Sequence, residues 1–253
     1  MKNILVLITL LVFTTGFSQV SGEFIYNVKE NVHSKLPPGP RGDRMKEFVP
    51  EFVDVSTRLL VNIEASLYSN IIDTIQPDLS QEDDRMARMK KRLAPANDIV
   101  FMDIENGLVV QKKEFMDKVF LIKDSIGLSN WKLTGEMKEV GGLNCLEAVF
   151  IPKEDDTTTV TAWFAPEIAT NAGPAGFGGL PGLVVYLNIN DGQTVISLVS
   201  QIMREVKSKE INIPNKGKVV TQEEYDDLVK KKMEQMKKQM EGRSGPGGGP
   251  PRH

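Results

Sequence analysis

The residue types that carry most enzymatic and metal chemistry are scarce in this sequence: a single cysteine, Cys145, and two histidines, His33 and His253. A structural zinc site needs four ligands. These three are too few and badly placed, His33 lying just before a proline-rich link and His253 in a glycine- and proline-rich tail. A Ser/His/Asp triad would have to recruit His33 without a G-x-S-x-G elbow, and Cys145 has no evident histidine partner to activate its thiol. The lone thiol therefore reads as buried and inert. Glu154, Asp155 and Asp156 read as a solvated turn between two strands. Asn188, Asn190, Asp191 and Gly192 have the composition of a calcium loop, but the glycine comes one position early and Leu198 holds the slot that needs a glutamate. Met233, Met236 and Met240 recur on one helix face, a pattern that packs a helix onto a core more often than it holds a soft metal. No catalytic residue, cofactor or metal is expected. The alternative is an enzyme of unknown type using the acidic residues or Cys145, or soft-metal handling by the methionine-rich helix.

The most distinctive stretch is Gly173 to Tyr186, GPAGFGGLPGLVVY. A phosphate-binding P-loop ends in Gly-Lys-Ser/Thr and opens a helix, whereas Gly182 is followed by Leu183, Val184 and Val185 with no lysine near. The dinucleotide fingerprint fails as well, because counting on from Gly176 and Gly178 reaches Pro181. The stretch leads into a strand, so there is no helix N-terminus to receive phosphate. Pro181 fixes its own φ and holds Leu180 extended, and the glycines permit close backbone approach. One reading is a corner or plug that closes one end of a curved sheet. The other is a rigid loop that rims an apolar pocket or docks on a partner, with Trp163, Phe177, Gly179, Leu180, Pro181 and Gly182 as the binding residues.

At Gly179 to Val184, GLPGLV, the chain resembles the GLPGLI family of exported envelope proteins. Further matching features are Gly22-Glu23-Phe24-Ile25-Tyr26, Trp131, Asn144-Cys145 with Ala148, Ala162-Trp163-Phe164, Ile168, Gly173-Pro174 and Phe177. Val184 in place of isoleucine is the one departure within the hexapeptide. The resemblance implies export, envelope residence and a β-rich fold, and it carries no catalytic list. The run from Gly179 to Leu198 is also similar to the late hairpin of carriers that sort lipoproteins across the periplasm, a fold-level analogy. Curved sheets of that sort hold apolar ligands in their concavity.

These residues need elements to position them, and the chain supplies mostly strands. Lys2 followed by the apolar run Ile4 to Phe13, with Gly16 and Ser18 as small residues, reads as an export signal over 1–18 cleaved after Ser18. No cysteine stands near the cut to be lipidated, and no later run is apolar enough to span a bilayer. The expected location is periplasmic or envelope-associated. The formal net charge of −3 offers no footprint for nucleic acid.

Strand patterns occur at Gly22 to Val28, at Thr57 to Tyr68 read as one alternating segment, and from Ile99 onward every ten to fifteen residues. Leu36 to Gly42 reads as a link that neither a strand nor a helix could contain. Asn106-Gly107 suits a type I′ turn, Asn190-Asp191-Gly192 a second hairpin, and Arg204 to Ile213 a final edge strand. Helical spacing marks 80–93 as an excursion. Thr221 and Glu224 form a capping box that opens a C-terminal helix ending at Gly242. The expected architecture is mainly β with minor α: about ten strands in a strongly curved antiparallel sheet or half-open barrel. The divisions are a β domain over 19–215, a helical segment over 216–241 and a disordered tail over 242–253. The expected partner is an apolar small molecule or lipid, or an envelope or outer-membrane protein.

Overall fold

The computed structural model describes residues 20–71, 97–125, 131–152 and 157–243. The signal expected over 1–18, the helix over 80–93, the acidic residues 154–156 and the tail beyond 243 lie outside the described residues. Two antiparallel meanders make up the fold. The first comprises β1 (Gly22–Asn31), β2 (Phe52–Val61), β3 (Ala65–Asn70), β4 (Ile99–Asp103), β5 (Leu108–Phe115) and β6 (Lys118–Ser125). The second comprises β7 (Trp131–Val140), β8 (Leu143–Phe150), β9 (Val160–Ala165), β10 (Leu183–Ile189) and β11 (Thr194–Met203). Pairing of β1 with β11 joins them into one twelve-stranded sheet, with β7 at one edge and β12 (Lys218–Val220) at the other. Because the edges stay apart, the sheet is open and no barrel closes. Among the described residues the α-helices are a short one, α1 (Pro40–Lys46), and a long one, α2 (Gln222–Arg243).

Alternation along the strands decides which face is buried where. Phe24 and Tyr26 of β1, Leu59 of β2, Tyr68 of β3 and Met102 of β4 share one buried cluster with Phe164 of β9 and Leu187 of β10. Strands β4 and β9 stand six steps apart in the sheet order, roughly 29 Å if the sheet were flat. The loop that follows β9 touches β3 and β4 at Pro174–Gly176, so the sheet curls toward that face. On the opposite face, Leu60, Phe101, Val110 and Leu121 are covered by Val206 and Ile211 from the segment after β11. That segment, 204–217, is a strap across the outer face. Phe120, Ile122 and Val220 pack with Tyr225 and Leu228 of α2 at the far end of the first meander.

Several local expectations are corrected. The alternating run Thr57 to Tyr68 is two strands, because Asn62 Oδ1 accepts hydrogen bonds from the Glu64 and Ala65 amides at 2.9 and 2.7 Å and turns the chain. Ile63, at the tip, is 61% exposed. The Asn106-Gly107 turn is not type I′, since only Gly107 has positive φ. Two-residue turns with positive φ at both positions are instead Met116-Asp117, at 51° and 60°, and Gly141-Gly142, at 60° and 82°. The Leu36 to Gly42 link does enter a helix: Pro40 is acceptable in the first turn of α1, where its missing N–H costs nothing. Arg204 to Ile213 is not a strand, because Arg204 is held by Glu23 and Glu210 while Val206 and Ile211 turn inward. The edge is β12, which pairs in parallel with β6. The residues just before the last helix are thus strand, and α2 runs through Gly242 to Arg243. Its capping box is present, with the Glu224 amide donating to Thr221 Oγ1 at 3.1 Å and the Thr221 amide donating to Glu224 Oε2 at 3.0 Å.

Candidate functional site

The glycine-rich loop between β9 and β10 lies on the curled face. Leu180 is 2% exposed and packs in the main cluster with Ile168 and Ala172. Phe177 is half-buried and stacks edge-on against Trp131 and Phe150, with ring centroids 6.4 and 5.9 Å away. Trp131 also donates from Nε1 to the Gly178 carbonyl at 2.9 Å, so β7 clamps the loop from one side. From inside the loop, the Gly179 amide donates to the Asn171 carbonyl at 2.7 Å and the Leu183 amide to the Ile168 carbonyl at 3.0 Å. Gly179 has φ +89°, a conformation L side chains rarely adopt. A Cβ on Gly182 would collide with the Ala165 carbonyl, so a side chain there would displace β10 from the end of β9.

Entry into β10 carries a bulge: Val184 pairs with Phe164 and Tyr186 with Trp163, leaving Val185 as the extra residue. Tyr26 reaches across from β1 and donates its hydroxyl to the Val184 carbonyl at 2.8 Å. Burial, and secondarily Tyr68, pushes the Tyr26 phenol well above its ordinary pKa, which keeps it a donor.

The six residues expected to bind do not form one site. Gly179, Leu180, Pro181, Gly182 and Phe177 belong to the loop, whereas Trp163 packs with Cys145, Ala165 and Val185 on the other side of β9. Lys138 Nζ lies 3.9 Å from the centroid of the Trp163 ring there. Pro181 lines a cavity of about 310 Å³ shared with Val20, Val61, Ile104 and Asn171. That cavity borders the main cluster, so the curled face keeps a pocket beside the loop.

The other candidates fall apart in similar ways. Cys145 is 1% exposed, its Sγ lies 3.5 Å from the Leu143 carbonyl, and burial pushes its thiol pKa up, away from the thiolate a nucleophile needs. A ring nitrogen of His33 is 2.9 Å from the Val49 carbonyl, which ties the residue to the end of α1. Asn188 Oδ1 accepts from the Gly192 amide at 2.6 Å, spending the calcium-like residues on the turn. Among the described residues, no group of three or more His, Cys, Asp or Glu could hold a metal. Met233 is 55% exposed and Met236 half-buried on α2, beyond the Tyr225 and Leu228 that seat the helix. The side chain of Met240 lies outside those described.

Two polar features were not legible as sites. Tyr68, Asp98, Lys113 and Tyr225 converge from β3, the start of β4, β5 and α2. Burial, with Asp98 adding to it, pushes the Tyr68 phenol up to about 12. Burial likewise raises the Asp98 carboxyl against the pull of Lys113. Under the strap on the outer face is a cleft of about 540 Å³, lined by Arg58, Lys112 and Lys216 from β2, β5 and the strap. No local pattern signals either, since their members are scattered over more than a hundred residues.

A single open, curled sheet, plugged on one face and strapped on the other, defines a mainly β scaffold of mostly antiparallel strands. The family model described as "Protein of unknown function (Porph_ging)" matches residues 151–186, which span β9, the loop and the first half of β10. Among solved structures, the chain is similar to PNGF-II in its P21 form, with TM-score 0.51 and 16% identity over 83% of this chain and 33% of that one. The C2 form of PNGF-II gives TM-score 0.51 and 15% identity over 83% of this chain and 32% of that one. The chain therefore spans about a third of the length of the PNGF-II structures it matches. At such identity the likeness concerns the fold alone. No curated protein matches the chain.

Proposed function

We propose that this chain is an exported, non-enzymatic binding protein of the cell envelope, of the GLPGLI type, and that its ligand site is the strapped cleft on the outer face of the sheet. The observation that carries the reading is the division of labour between the two faces. The glycine-rich loop packs into the curled face and leaves a cavity of about 310 Å³ there, while the opposite face keeps a larger cleft of about 540 Å³, well within the usual range for small-ligand sites. The charge–apolar–small order over 1–18 supports export. Assignment to the GLPGLI type rests on GLPGLV itself, inside the stretch matched by the family of unknown function.

The test is expression of the full chain in a host with an envelope, with subsequent fractionation, N-terminal sequencing and mass spectrometry of bound molecules. We expect a mature chain beginning at Gln19 in the envelope fraction with a co-purified small molecule. An unprocessed cytoplasmic chain, or a processed one that carries no bound species, overturns the proposal.

A further inference from the structure

The cleft under the strap has a chemistry that narrows what it takes. Its floor is the outer face of β2 to β5. Arg58 stands opposite Ser69 on β3, and Ile99 of β4 stands opposite Lys112 on β5. The two cations thus bracket the floor three strand spacings apart, roughly 14 Å. The roof is the continuous strap segment from Asn212 to Lys216. Among the described residues that line it none is acidic, and four are asparagines: Asn70, Asn97, Asn212 and Asn215.

Whether these cations are already neutralised decides the matter. Glu23 is the one carboxylate beside Arg58 among the described residues, with Oε1 at 3.7 Å, but its Oε2 is taken at 2.9 Å by Arg204. Arg58 is therefore only partly compensated. Among the described residues, Lys112 and Lys216 have no carboxylate at ion-pair distance. Three cations in a concave, partly apolar site focus a positive potential that no carboxylate among the described residues fully cancels. Asparagine side chains both donate and accept, which suits hydroxyl groups rather than bare hydrocarbon. Leu67 and Ile99 give the floor an apolar patch for a carbon skeleton.

We propose that the strapped cleft binds a small, hydroxyl-bearing organic anion whose carboxylate or phosphate group is held by Lys112 and Lys216, with Arg58 at the far side and the asparagine amides on the hydroxyls. This rests on the binding-protein reading and deepens it. Calorimetric titration of the mature chain at constant ionic strength, with glucose 6-phosphate, glucuronate and uncharged glucose as probes, tests it. Saturable binding of at least one charged probe is expected, with none for glucose. Replacing Lys112→Gln weakens that binding by roughly tenfold, the loss of one charge-assisted contact. Lys216→Gln, in an exposed strap position, is the second variant, and unchanged circular dichroism verifies that both fold.

Failure of both charged probes to saturate, equal binding of glucose, or undiminished affinity in the Lys112→Gln/Lys216→Gln double variant overturns the assignment. The two readings fail separately. A processed envelope chain that carries a neutral molecule sinks the anion and leaves the binding protein. An unprocessed cytoplasmic chain sinks the envelope reading, whatever the titration returns.

Discussion

Arg204 shows how single charges hold the strap. Its guanidinium donates to Glu23 Oε2 at 2.9 Å and to Glu210 Oε2 at 2.9 Å, and the Lys207 amide donates to Glu210 Oε1 at 2.9 Å. Arg204 first, then the Lys207 amide, holds the Glu210 carboxyl at about 2, below its ordinary 4.5. A carboxyl depressed in the folded state contributes stability above its ordinary pKa and loses it as the pH falls toward the folded value. The urea midpoint is therefore expected to fall between pH 4.5 and about 2, and Glu210→Gln should remove part of that fall. A second residue-scale outcome concerns Met116, at φ 51° in the β5–β6 turn, a conformation costing a side-chain-bearing residue about 1–2 kcal/mol. Met116→Asn with Asp117→Gly matches the type I′ preference and should raise the melting temperature by about 2–4 °C, read by calorimetry.

At the scale of elements, the β9–β10 loop acts as an internal wall of the core. Leu180→Ala should cost about 3 kcal/mol in urea unfolding, the range for a buried leucine that leaves a cavity. Trp131→Phe keeps an aromatic ring against Phe150 and Phe177 but loses the hydrogen bond to the Gly178 carbonyl, which should cost about 1 kcal/mol. If Leu180→Ala is as mild as a surface change, the loop is not a plug.

The pieces of this loop were legible beforehand, because glycine and proline restrict the backbone locally and can be counted. The grouping of Trp163 with Phe177 was not. Trp163 alternates with Ala162 and Phe164 along β9 and so faces away from the main cluster, whereas Phe177 takes its side from the long-range contacts of the loop with Trp131 and Phe150. The turn at Asn62 was hidden for the opposite reason. It uses a side-chain bond and no glycine, so the run stays alternating on paper.

For the whole molecule, one curled sheet shared by both meanders implies one cooperative unit. Tryptophan fluorescence and far-ultraviolet circular dichroism should report coincident urea transitions. Cys145, 1% exposed, should resist a maleimide in the native chain and react within the same transition. A thiol that reacts fully in native buffer would contradict its burial between β7 and the Trp163 face.

Local chemistry was enough to specify the β-rich composition, the glycine-containing hairpin turns, the capped C-terminal helix and the backbone restrictions of the glycine-rich loop. Each depends on residues a few positions apart and on backbone preferences that travel with the residue. Tertiary structure alone decided the rest. It paired β1 with β11, turned the last strand parallel to β6, laid the strap over the outer face and brought Arg58, Lys112 and Lys216 around one cleft. The physical reason is that a sheet curls and is covered according to which apolar faces can be buried together. That choice is made between segments far apart in the chain, where no local spacing records it.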